Sequence, residues 1–128
     1  MRDTPVSTVL IIEDHEKNMK LARDVLQAKG YQTLEAVTGE EGVKLALEKK
    51  PDLVLMDIQL PGINGIEAFK QIRGDAATHA IPVVALTASV TPTDRSEITA
   101  AGFDAFIGKP ISLKEFVETV KRLIEGKK

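Results

Sequence analysis

The chain has no cysteine. That excludes a disulfide framework and any zinc or redox site built on thiolates, and it suits a reducing compartment. Net charge is also scarce, because 17 Lys and Arg against 19 Asp and Glu leave a formal charge of −2. The basic residues are scattered rather than gathered into a stripe, so nothing marks a nucleic-acid surface. Long apolar runs are missing too. The longest, such as Val9 to Ile12 and Leu53 to Met56, fall far short of a membrane span. The amino terminus lacks a basic segment followed by a hydrophobic one, so a cytoplasmic protein without membrane insertion is expected. No repeat, low-complexity tract or linker divides the chain. What remains is 128 residues with 43% hydrophobic content, enough for one core and too little for two. We therefore read residues 1–128 as a single domain with its core at 8–125 and no output domain.

Three apolar runs, Thr8 to Ile12, Leu53 to Met56 and Val83 to Leu86, show no alternation, as expected of strands covered on both faces of a parallel sheet. Tyr31 to Ala36 alternates more and Ala105 to Gly108 is short, so these two are expected at the sheet edges. Helix starts are signalled by Thr38 with Glu41, Thr91 with Asp94, Ser112 with Glu115 and the variant Asn64 with Glu67, and Pro92 suits a first helical position. Gly30, Gly74 and Gly102 stand where helices should stop. The last helix carries a full apolar stripe of Leu113, Phe116, Val117, Val120, Leu123 and Ile124. The fourth, roughly Pro92 to Ala101, has only Ile98 as a large apolar residue and should be the least firmly anchored. Strand and helix alternate throughout. This predicts a doubly wound (βα)5 α/β three-layer sandwich.

In open α/β sheets, ligands bind at the carboxyl ends of the strands near the topological switch point. Four strands end in polar candidates: Glu13 and Asp14, Asp57, Thr87, and Lys109 followed by Pro110. With the flavodoxin-like order 2-1-3-4-5, the carboxylates after strands one and three face each other. Such a cluster repels itself until a cation neutralises it, and Mg2+ favours oxygen donors of this kind. An aspartate beside such an ion is a competent nucleophile toward phosphorus. Thr87 offers a hydroxyl and Lys109 a positive charge to a transferred phosphoryl group. Taken singly, Asp14 could be a helix N-cap, Thr87 a buried hydroxyl and Lys109 a solvated charge. Their convergence on one crevice favours chemistry, and stability alone offers no reason for a charge at Asp57 after four apolar residues.

The segments VLIIEDHEKN, PDLVLMDIQLPGINGIEA, IPVVALTAS and GFDAFIGKPI, in this order and spacing, resemble the receiver domain of two-component response regulators, the CheY-like family. The likeness runs from Val9 to Ile124. Within the family, the EDHEKN start and the MDIQLPGINGIEA segment resemble DivK-type single-domain regulators and the receivers of hybrid kinases. The resemblance implies that Asp57 accepts a phosphoryl group from a histidine kinase or phosphotransfer protein. It also implies Mg2+ (or Mn2+) held by Asp14 and Asp57 directly, by Glu13 through water and by the main-chain carbonyl of Gln59. Thr87 and Lys109 would contact the phosphoryl group, and Phe106 would hold the aromatic switch position, where tyrosine is commoner. The Lys109 to Pro110 bond resembles one that is cis in the family. A protein output partner would read the face made by the fourth helix, fifth strand and fifth helix, with the domain a monomer or weak dimer. Gln59 and Ser89, two residues beyond Asp57 and Thr87, would flank the path of a hydrolytic water.

His15 reads as a surface residue near the site mouth and His79 as a loop residue, since the family's histidine belongs to the partner. An aspartate-based phosphatase of the haloacid dehalogenase type needs an acid two residues after its nucleophile, where this chain has Gln59. A flavodoxin-like carrier needs hydroxyls and amides in its phosphate loop, where Glu13 and Asp14 would repel phosphate. The expected protein is thus a phosphoacceptor rather than a turnover enzyme. An initiating methionine favours a stand-alone regulator over a receiver excised from a hybrid kinase.

Overall fold

The computed structural model describes residues 7–58, 60, 63, 65–87, 92–108 and 112–126. Strands and helices alternate as β1 (Thr8–Ile12), α1 (Glu16–Ala28), β2 (Gln32–Ala36), α2 (Gly39–Lys49), β3 (Leu53–Asp57), α3 (Gly65–Arg73), β4 (Val83–Thr87), α4 (Pro92–Ala101), β5 (Ala105–Gly108) and α5 (Leu113–Gly126). The sheet is parallel throughout, in the order β2-β1-β3-β4-β5. β2 and β5 lie at the edges, as their mixed composition predicts, while β3 and β4 are buried at every position.

Strand alternation divides the core between the two faces. Val9, Ile11, Leu53, Leu55, Val84 and Leu86 pack with Met19, Ala22 and Leu26 of α1 and with Phe116, Val120 and Ile124 of α5. Leu10, Ile12, Val54, Met56 and Val83 pack with Val43 and Ala46 of α2 and with Ala68, Phe69 and Ile72 of α3. Helices thus cover both faces, because each parallel crossover must return over one side of the sheet.

Local signals account for most boundaries. Thr38 caps α2, its Oγ1 accepting the Glu41 N–H at 3.0 Å, while Glu41 Oε1 accepts the Val37 N–H at 3.0 Å, one residue before the cap. Gly30 and Gly102 end α1 and α4 with φ of 92° and 102°, where a side chain would be strained. α2 ends without a glycine. Lys50 takes the left-handed conformation there, with φ 46° and ψ 65°, and Pro51 follows it. Asn64 and Thr91 lie outside the described residues. Both β3 and β4 run one residue past their apolar stretches, so Asp57 and Thr87 belong to the strands themselves.

Among the described side chains of α4 only Ile98, 3% exposed, is buried. The turn beyond its carboxyl end meets a polar clamp. Arg73, at the end of α3, donates to the carbonyls of His79 (2.6 Å) and Ile81 (3.1 Å) and to Asp104 Oδ2 (2.8 Å). Asp104 Oδ2 also accepts the Val83 N–H at 2.7 Å. The Arg73 guanidinium sits 4.8 Å from the centre of the Phe69 ring, and that ring stacks on Phe103 at 4.1 Å. Charge-assisted bonds and cation–π contact together hold the turn after α4 against α3 and the start of β4.

Tyr31, the chain's one tyrosine, packs against the α1 and α5 side of the core. Burial, and secondarily the charge of Glu125, raise its phenol above the ordinary value of 10.0. The folded protein therefore keeps a proton that the unfolded chain releases, and the resulting stability is complete below pH 10.0 and lost as pH rises through the folded value. An ultraviolet phenolate titration should give a higher midpoint in native than in denatured protein. Coincident midpoints would contradict this account.

Candidate functional site

The paired registers bring the polar candidates to one edge. Ile12 is level with Met56, and Asp57 is level with Leu86. Glu13 extends the β1 ladder by donating its N–H to the Ala36 carbonyl at 3.0 Å, and Ile58 donates to the Leu86 carbonyl at 3.0 Å. Glu13, Asp57 and Thr87 thus stand on three adjacent strand ends, only 1%, 4% and 3% exposed. Asp57 continues the row of Leu53 and Leu55, which face α1 and α5. Burying carboxylates is costly, so an apolar strand that ends in one is built for something other than packing.

Asp14 and His15 follow Glu13 and are exposed. His15, not Asp14, is the N-cap of α1, and its side chain makes no capping bond. Its backbone N–H donates to Glu13 Oε2 at 3.1 Å, folding the turn back on the buried carboxylate. One ligand atom from each of Glu13, Asp14 and His15 lies within 4.8 Å of the others, a trio that does not include Asp57. Glu13 and Asp14 also line a groove of about 440 Å³ that runs beside α1, with Lys20, Arg23 and Glu35 on its walls. Arg23 reaches Glu35 at 3.0 Å, and Lys20 is held by Asp24 at 2.5 Å. The oxygen-rich donor set of Glu13, Asp14 and Asp57 fits a hard divalent cation.

Beyond β3 the chain turns tightly. Gly65 opens α3 by donating its N–H to the Ile58 carbonyl at 2.9 Å. A Cβ there would lie 2.5 Å from the Asp57 carbonyl oxygen and 2.7 Å from Ile58 Cα. Only glycine lets α3 start this close to the strand end. Phe106 is half-buried on β5, level with Ala85, and Thr87 is level with Gly108. Gln59, Ser89, Lys109 and Pro110 lie outside the described residues. His79 fits its reading as a loop residue, exposed and bonded through Nδ1 to the Ala76 carbonyl at 3.1 Å. His15 is exposed, as its reading as a surface residue expects. Gly65 was not singled out in the sequence, where the glycine-rich GING stretch was the available signal.

The chain matches the response regulator receiver domain family over residues 9–121. It belongs to that family. Among its relatives is the polar-differentiation response regulator DivK of Brucella anthropi, 46% identical over 89% of this chain and 93% of the relative. The receiver domain of a sensor histidine kinase from Pseudomonas aeruginosa superposes with a TM-score of 0.88 at 28% identity, covering 94% of this chain and 99% of that one. That structure holds a magnesium ion coordinated in its active site cleft. The signal receiver domain of a histidine kinase from Syntrophus aciditrophicus gives a TM-score of 0.88 at 30% identity, covering 94% and 92%. The CheY-like, flavodoxin-like architecture read from the sequence is therefore the architecture of this receiver domain. No helix among its described residues is long and apolar enough to cross a membrane.

One substitution tests this geometry. Gly65→Ala should destabilise the receiver domain by about 1–3 kcal/mol, because backbone blocks the added methyl, and a urea midpoint equal to that of the parent would refute the close approach.

Proposed function

We propose that this receiver domain is a cytoplasmic phosphoacceptor that takes a phosphoryl group on Asp57 from a histidine kinase or phosphotransfer protein. The observation that carries the reading is the buried Asp57 carboxylate at the end of a central strand, flanked by Glu13 and Thr87 on the neighbouring strand ends. In this reading Asp14 and Asp57 would hold Mg2+ (or Mn2+), with Glu13 doing so through water and the Gln59 carbonyl completing the protein ligands. The bound ion would supply charge neutralisation. An Asp57 carboxylate oxygen attacks phosphorus in line, the new P–O bond forming as the donor's P–N bond breaks and the donor imidazole leaves with the electron pair. Thr87 Oγ1 donates to a phosphoryl oxygen, and the Lys109 ammonium balances another. In this reading Gln59 and Ser89, two residues beyond Asp57 and Thr87, would flank the approach of the water that later hydrolyses the acyl phosphate. The domain is a switch, not a turnover enzyme.

Output follows from the same contacts. Thr87, drawn toward the phosphoryl group, leaves space beside the adjacent strand for the half-buried Phe106 ring. α4, held in the core through Ile98, then repacks, and a protein partner reads the face of α4, β5 and α5. A local charge event biases a two-state element. No contact with nucleic acid is part of this reading, and the domain acts as a monomer or weak dimer.

Incubation with a small phosphodonor and Mg2+ should add one phosphoryl group to the intact mass, mapped to Asp57. Labelling that persists in Asp57→Asn or in excess chelator would overturn the proposal.

A further inference from the structure

The chain from Ile58 to Gly65 leaves the strand that carries Asp57 and returns to start α3. Gly65 closes this connection at its root, donating its N–H to the Ile58 carbonyl at 2.9 Å. A second contact is with α2. A Cβ on Gly39 would lie 2.8 Å from the Ile63 carbonyl oxygen and 2.7 Å from Ile63 Cγ1, and the Ile63 N–H donates to Glu40 Oε2 at 3.3 Å. We propose that Gly39 and Glu40 are positioning residues for the phosphoacceptor site: they seat Ile63 on the first turn of α2 and so set the backbone that leaves Asp57. This rests on the function proposed above, which gives the ion Asp57 and the Gln59 carbonyl of the same connection, and it adds two residues outside that ligand set.

The seat is itself fixed. Thr38 Oγ1 accepts the Glu41 N–H and Glu41 Oε1 accepts the Val37 N–H, both at 3.0 Å, which ties the first turn of α2 to the end of β2. Glu41 is thus engaged at the cap while its neighbour Glu40 reaches the connection. The Ile63 side chain adds apolar contact, packing against the core that holds Val43 and Ala46 of α2 and Ala68 of α3. Gly39 is buried and does not take a positive φ, so alanine suits its helical position better than glycine does. The added methyl would instead meet the Ile63 main chain, which cannot swing aside as a side-chain tip can, and the connection would have to move. Magnesium demands near-ideal octahedral geometry, so a small displacement there is felt as lost affinity.

Calorimetric Mg2+ titration of the whole chain, with amide NMR in chelator, tests this. Gly39→Ala should shift the Ile58 and Ile63 amides and weaken Mg2+ binding at least about tenfold, the scale on which groups that orient ligands act. Glu40→Ala should weaken it about threefold, as loss of one exposed hydrogen bond does. Glu40→Gln loses the charge but keeps an oxygen to accept the Ile63 N–H, and should bind as the parent does. Parent-like affinity in Gly39→Ala, or a Glu40→Gln as weak as Glu40→Ala, overturns this inference while Mg2+ binding by the parent leaves the proposed function standing. Should Gly39→Ala not fold, the two Glu40 variants decide. A parent chain in which Asp57 does not respond to Mg2+ overturns both.

Discussion

β3 is buried at all five positions and is hydrogen-bonded to β1 on one side and β4 on the other. Leu53 to Met56 meet only apolar neighbours, so the strand cannot slip by a residue without moving its side chains to the opposite core. That lock sets where Asp57 emerges. It also sets the partners of Asp57, because the same ladders bring Glu13 and Thr87 to the same edge. Packing of uncharged residues thus fixes the position of the charged ones.

The carboxyl edge is further constrained by what must come close to it. α3 starts against the Asp57 carbonyl through Gly65. α2 approaches β1 in the same way, since a Cβ on Gly42 would run into the Ile12 side chain. At the opposite end of α3, Arg73 ties the turn after α4 to the start of β4. Among the described residues, α4 is tied to the core through Ile98, and the turn beyond its carboxyl end is tied through the Arg73 clamp.

Much of this was legible in the chain itself. Unbroken apolar runs announced the central strands, the alternating and short segments announced the edges, and the α5 stripe named Phe116, Val120 and Ile124 as residues that this helix buries, while Leu113 of the same stripe stays 50% exposed. Other features left no local trace. Lys50 ends α2 in a left-handed conformation that non-glycine residues rarely adopt, and nothing about a lysine advertises it. Asp104 looks like an ordinary loop acid until the fold carries it across to Arg73, 31 residues away.

The sequence by itself determined the layers, the strand order and the acids at the strand ends, because the periodicity of burial and the handedness of parallel crossovers leave few alternatives. Tertiary structure alone decided which donors share a space. Where the His15 backbone N–H meets the buried Glu13 carboxylate depends on how α1 is entered. That angle comes from α1 packing on the sheet through Met19, Ala22 and Leu26, a long-range constraint that no short window of residues contains.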